Sequence, residues 1–262
     1  MDQNRPVYDP SNSKGATPSE QERLVRVNIP KVRPVVTYVL LGVTVAIYLL
    51  QLLSQSMFGG NDILFLWGGK INEFILQGEI WRFITPIFLH ASILHIAFNM
   101  YALLIYGQEL ERAYGHWRYL ALYLLAGFAG NVLSFTLSSF NSLGSSTAIF
   151  GLVSAEAVFI YQNRNLFGKR ARSILFNLLL ITVINFALGL TPGSMIDNWG
   201  HLGGLIGGAI FAWFAGPKWL LEGYPPATRI VDQRTSREVQ FGAIVVIILF
   251  SAVAGARFVF IN

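Results

Sequence analysis

The sequence predicts an all-α protein that crosses a membrane several times. Two observations carry this. Hydrophobic residues make up 53% of the 262 positions and charged residues only 13%, whereas an ordinary soluble domain carries about 25% charged residues. The stretch from Pro34 to Leu53 holds 20 residues without a charge, about the length that spans a hydrocarbon core as a helix. The net charge of +5 is a poor argument for nucleic acid, because basic residues in a membrane protein mark its cytoplasmic loops. The sequence contains no cysteine, which excludes disulfides, thiolate metal sites and a cysteine nucleophile.

Residues 1–33 are polar and carry no helical apolar stripe, so a mobile tail is expected. A core follows over 34–216. Its spans are expected at 34–53, 83–106, 119–138, 144–161, 173–190 and 201–215. The connection 54–81 is broken by Gly59, Gly60, Gly68, Gly69 and Lys70. Its apolar pieces Ile63 to Trp67 and Phe74 to Leu76 read as interfacial. A linker over 217–240 leads to a seventh span at 241–258, within a last segment 241–262.

Sixteen of the 19 basic residues fall in the tail, the 2–3, 4–5 and 6–7 connections, and only Lys70, Arg82 and Arg257 fall on the other side. This bias places the N-terminus in the cytoplasm, in a membrane expected to be of bacterial plasma-membrane type. The fourth and sixth spans then both begin at the outer face, so Ser146 and His201 share one leaflet.

Polar side chains inside apolar spans are costly and point to function. Ser146 alone reads as a helix cap, a job Ser145 or Thr147 would do equally well, and His201 alone as an interfacial residue. Together they are the parts of a nucleophile–base pair. His90, His95 and Asn99 lie in the second span, His95 and Asn99 on one helical face. Either they glue helices by hydrogen bonds, or they share the site. In that case His95, Asn99 and the Ser146 backbone N–H are the oxyanion donors. Gly144 and Gly151 on the fourth span, and His201, Gly204 and Gly208 on the sixth, let two helices approach closely. Phe150, one turn below Ser146, is placed to stack on the imidazole. Asp197, four residues before His201, tempts one to complete a triad and is set aside as a loop residue. Metal ligation by His90, His95 and His201 lacks a supporting spacing, and no cofactor is expected.

These residues together resemble the rhomboid intramembrane serine proteases. Gly144-Ser145-Ser146-Thr147 matches the family's G-x-S-x nucleophile motif. His201, Gly204 and Gly208 match H-x-x-G-x-x-x-G, and His90, His95 and Asn99 match H-x-x-x-x-H-x-x-x-N. Trp81 and Arg82 match the pair that closes the family's first loop. Gly107, Glu111 and Gly115 match G-x-x-x-E-x-x-x-G. The matches run from Trp81 to Gly208. The resemblance implies a six-helix rhomboid core plus a C-terminal seventh transmembrane helix. It also implies a Ser146–His201 dyad without a carboxylate, and cleavage of single-pass transmembrane substrates near the outer face. The chain departs from many members at Thr147, where they have glycine. A β-branched residue there bears on the shape of the substrate slot.

Two rival functions remain. A silent rhomboid-like protein would bind transmembrane segments without cutting them, but such relatives typically lack the serine or the histidine, and both are present. A channel or transporter is disfavoured because no inverted repeat and no acidic residue buried in mid-span is found. Oligomeric state is not encoded in these patterns.

Overall fold

The computed structural model describes residues 32–224 and 228–260, so the expected tail falls almost wholly outside the described residues. The chain divides into two units, a large helical one and a small one whose described part spans 219–233. The helices are α1 (Val35–Met57), α2 (Ile63–Gly68), α3 (Asn72–Leu76), α4 (Ile93–Ala102), α5 (Gln108–Tyr114), α6 (His116–Leu137), α7 (Ser146–Gln162), α8 (Arg164–Phe167), α9 (Lys169–Gly189), α10 (Asn198–Ala215) and α11 (Ser236–Phe260). The small unit is a hairpin of β1 (Trp219–Glu222) and β2 (Arg229–Asp232), antiparallel, with Trp219 opposite Asp232. The hairpin and the first turns of α11 occupy what the sequence reads as a plain linker.

Four of the described helices, α1, α6, α9 and α11, are long and apolar enough to cross a membrane by length and composition, and α7 is a shorter apolar helix. The expected second span is corrected. Residues 83–106 do not form one helix. The chain first makes 3-10 turns at Ile80–Phe83 and Thr85–Phe88, where Pro86 lacks the N–H that an α-helix needs. The α-helix begins only at Ile93, with the Ser92 hydroxyl accepting from the His95 N–H at 3.2 Å, a side-chain N-cap. It then runs through a π-helical turn at Leu103–Gly107 into α5. The two interfacial pieces of the connection become α2 and α3.

A helix that is apolar on every side belongs in the interior, and α7 is that helix. Its residues 147–153 are all buried. α6 and α10 flank it, and α10 does so through glycine. A Cβ at Gly203 or Gly207 would overlap Ala129 of α6, and one at Gly204 or Gly208 would overlap the backbone oxygen of Thr147 or Gly151 in α7. The two glycine pairs thus bring α10 into close contact with both neighbours, as small residues do in membrane bundles. α11 adds a stripe of Gly242, Val246, Phe250 and Ala254, all buried, which packs against α6 and α10. α9 is peripheral, with Ala171 and Leu178 as its buried residues.

One carboxylate interrupts this apolar interior. Glu156 stands in α7, half-buried, close enough to Tyr106 to act on it electrostatically. The sequence reading expects no acidic residue buried in mid-span; Glu156 does lie in mid-span, half-buried. A single charge does not break the hydropathy of a long run, so the run hides it.

The glycine contacts yield a test. Gly204→Ala must displace the Thr147 carbonyl, and overpacking of this kind typically costs about 1–3 kcal/mol. Gly42 in α1 has nothing within 4 Å of an added Cβ, so Gly42→Ala should hold or raise stability by up to about 1 kcal/mol. Thermal unfolding in detergent should separate the two; equal melting temperatures would contradict the packing described.

Candidate active site

Ser146 is the first residue of α7, and His201 sits in the first turn of α10. Because the glycines bring these helices together, His201 Nε2 lies 2.9 Å from Ser146 Oγ. The Phe150 ring stacks on the imidazole at 4.1 Å between centroids and 15° between planes. Phe186 of α9 meets the ring edge-on at 6.2 Å and 82°. His201 is 5% exposed and its Nδ1 is buried without a hydrogen-bond partner. Asp197 is therefore not the third member of a triad. Its carboxylate caps α10 instead, accepting from the Gly200 N–H at 2.9 Å and from the Ser134 hydroxyl.

The approach to Ser146 is set by Gly144, whose φ of +131° is open to glycine and strained for other residues. Its N–H donates to the Pro86 carbonyl at 2.9 Å. A Cβ on Gly144 would stand 2.7 Å from His95 Nε2 and 3.7 Å from Ser146 Oγ, so His95 and the serine border the same small space. Asn99 donates one amide hydrogen to the His95 carbonyl at 3.0 Å, leaving a second donor hydrogen. Ser146 opens a helix, where the first N–H groups lack intrahelical acceptors. The space thus lies beside a hydroxyl, an imidazole and a helix N-terminus, a set suited to a developing oxyanion.

His90 does something else. It lies before α4, not on it, so no helical angle relates it to His95. Its Nε2 is 3.2 Å from Ser145 Oγ, and its N–H donates to Gln51 Oε1 at 2.9 Å. The two imidazoles, His90 and His95, meet edge-to-face at 5.0 Å. The sequence names Ser146 as the nucleophile and leaves Ser145 as an alternative helix cap; in the structure each serine has its own histidine. Among the described residues no three His, Asp or Glu side chains are grouped as metal ligands.

Thr147 is 4% exposed. Its side chain packs where a Cβ on Gly130 or Gly200 would go. The departure from glycine is taken up by the α6–α7–α10 junction, which supplies glycines on the facing helices. The remaining motif residues hold the frame. Arg82 is 2% exposed and donates to the carbonyls of Gly69 and Leu66 at 2.7 and 2.6 Å and to Glu79 at 2.7 Å. Trp81 stacks on Trp67 and donates to its carbonyl at 3.1 Å. Glu111 is fully buried and accepts from the N–H groups of Val36 and Thr37, the Thr37 hydroxyl and His116. It thereby takes up N–H groups at the N-terminus of α1 that have no intrahelical acceptor.

Lys70 is a residue that the motifs miss. Its backbone pairs with Ser142, at 2.9 and 3.0 Å, and its buried ammonium donates to the Phe140 carbonyl. It clasps the loop that leads into Gly144. The one visible signal was its place among the few basic residues opposing the charge bias.

A helical membrane protein that sets a serine against a histidine at two helix starts is the class defined by this geometry. A family model, the Rhomboid domain, matches residues 77–218, and the chain belongs to that family. It is 41% identical over 177 residues to "Rhomboid protease GluP" of Bacillus subtilis (strain 168), covering 67% of this chain and 34% of that protein. It is 37% identical over 152 residues to "RHOMBOID-like protein 9, chloroplastic" of Arabidopsis thaliana, covering 58% and 35%. To "Rhomboid-like protease 1" of Toxoplasma gondii it is 36% identical over 152 residues, covering 56% and 51%. The chain thus spans between a third and about half of the length of these curated relatives. They come from a bacterium, a plant organelle and a further eukaryote, so membership lends no support to a bacterial-type membrane. It does make the chain an integral membrane protein.

Burial pushes the Lys70 ammonium down from 10.5 to about 8, the field of Asp197 raising it and that of Arg257 lowering it. The unfolded chain keeps this proton up to its ordinary value and the folded chain loses it earlier. Between these two pH values unfolding takes up a proton, so stability rises with pH, at about 1.4 kcal/mol for each step of one in pH. In Lys70→Met this rise should vanish from unfolding curves taken between pH 8 and about 10. An identical rise in the variant would show that another group titrates there.

Proposed function

We propose that the chain is an intramembrane serine endopeptidase that cuts peptide bonds of transmembrane substrates. The observation that carries this is the 2.9 Å approach of His201 Nε2 to Ser146 Oγ inside an apolar bundle. Membership of the rhomboid family supports protease function in general. In this reading His201 takes the Ser146 hydroxyl proton at Nε2 as the oxygen attacks the substrate carbonyl carbon. The carbonyl electron pair moves to oxygen, where the Ser146 N–H, His95 and Asn99 receive it. Collapse breaks the C–N bond, and the proton on Nε2 passes to the leaving amine. Water then hydrolyses the acyl-enzyme by the same route. Phe150 and the helix glycines hold the imidazole in line.

The seven-span arrangement, with a cytoplasmic N-terminus and the dyad near the outer face, belongs to the same proposal and rests on the charge bias. Single-pass substrates fit a site at this shallow depth. A silent substrate-binding role is the weaker reading, because serine and histidine are both present and within hydrogen-bond distance.

Cleavage of a reporter carrying one transmembrane segment tests the proposal. Ser146→Ala and His201→Ala should each abolish cleavage and leave the melting temperature near that of the parent. The double variant should be no worse than either, since the two act as one unit. Cleavage by Ser146→Ala at more than a few per cent of the parent rate would overturn the assignment.

A further inference from the structure

The carboxylate of Asp197 is held more firmly than a helix cap requires. One oxygen accepts the Gly200 N–H at 2.9 Å, the other the Ser134 hydroxyl of α6. The fixed charge lies one turn from His201, whose own N–H donates to the Asp197 carbonyl at 3.0 Å. The imidazole and the carboxylate interact through space without touching, and the nitrogen that a triad carboxylate would occupy is buried without a partner.

His201 also faces an electrostatic difficulty. It sits at the positive end of α10. A helix N-terminus favours anions and opposes cations. For Ser146 at the start of α7 that field helps, because charge there becomes negative. For His201 it hinders, because the imidazole must become an imidazolium when it takes the serine proton. The groups around the ring do little to offset this. They are Ser146 and Phe150 on α7, Phe186 on α9 and His95 on α4. None carries a negative charge, and only the Phe150 face, by cation–π attraction, favours a cation. Asp197 is the anion that acts on the ring.

We propose that Asp197 is an electrostatic positioning residue for the dyad: its negative charge, fixed by Ser134 and the Gly200 N–H, cancels the field of the α10 N-terminus and stabilises the His201 imidazolium without contact. The idea rests on the protease reading above. A neutral cap would satisfy the helix equally, since asparagine caps as well as aspartate. The distinguishing property of Asp197 is therefore its charge. The other charged group that acts on it is Lys70, which also lies in the field of Arg257, itself bonded to the Thr136 carbonyl of α6 at 2.8 Å. A purely structural alternative follows, in which Asp197 serves only as the counter-ion of Lys70.

The test uses the full chain in detergent with the transmembrane reporter, measuring kcat, KM and melting temperature. Asp197→Asn keeps the cap and removes the charge. It should lower kcat about tenfold, with KM within twofold and the melting temperature little changed. Asp197→Ala should lose the same kcat and melt lower as well. Adding Lys70→Met to Asp197→Asn separates the two roles, because removing an unpaired cation rescues a counter-ion defect and does not rescue imidazolium formation. The proposal predicts that kcat stays low in the double variant. A wild-type kcat in Asp197→Asn, or a kcat restored by Lys70→Met, overturns it and leaves the protease reading intact. A parent chain that cleaves nothing fails at an earlier step and removes both.

Discussion

The site depends on the close approach of α10 to α7. Gly204 and Gly208 lie where any side chain would strike the backbone oxygens of Thr147 and Gly151. Without that approach His201 and Ser146 would be separated by an ordinary interhelical gap of about 8–10 Å between axes. With it, the imidazole reaches the serine hydroxyl at 2.9 Å. The same close packing gives the ring its rigid walls, with Phe150 stacked on one face and Phe186 against it. Aromatic walls, rather than a carboxylate on Nδ1, hold the imidazole in line.

The second feature is that both members of the pair occupy helix N-termini. A helix start presents unpaired N–H groups and a partial positive charge. In the proposed reaction this suits the serine, which becomes an alkoxide, and the substrate carbonyl, which becomes an oxyanion. In that same proposal it is unfavourable for the histidine, which becomes a cation, and Asp197 lies where it would oppose that field. An acidic group serves a helix start elsewhere in the bundle too, where Glu111 receives the first N–H groups of α1. Many of the polar side chains of this membrane protein thus stand at helix ends and in the loops that join them. Arg82, Trp81 and Lys70 fasten those loops by donating to main-chain carbonyls.

Much of this was legible in the sequence. Long uncharged runs announce helices because a bilayer demands internally bonded backbone. The spacing of His201, Gly204 and Gly208 announces a face because glycine and histidine have few reasons to share one. The second span was misread because hydropathy measures apolarity and not hydrogen bonding. The 83–92 stretch is apolar, but Pro86 and the Ser92 cap prevent it from starting α4. His90 was placed on a helix for the same reason, and its bond to Ser145 was invisible. Lys70 and Asp197 act across the fold, on Phe140 and Ser134, and no local pattern encodes such partners. A cap signature did stand at Asp197, immediately before an apolar run, but the residue was set aside as part of a loop. Glu156 was lost inside a run whose mean remained apolar.

If His201 makes Ser146, and not its neighbour, the nucleophile, the two serines must differ in reactivity. The most direct measurement is peptide mass spectrometry of the folded chain after reaction with a fluorophosphonate. Phosphonylation should fall on Ser146 and not on Ser145, although His90 stands 3.2 Å from the Ser145 hydroxyl, and the adduct should be lost in His201→Ala. An adduct on Ser145, or one on Ser146 that forms equally fast without His201, would contradict the dyad.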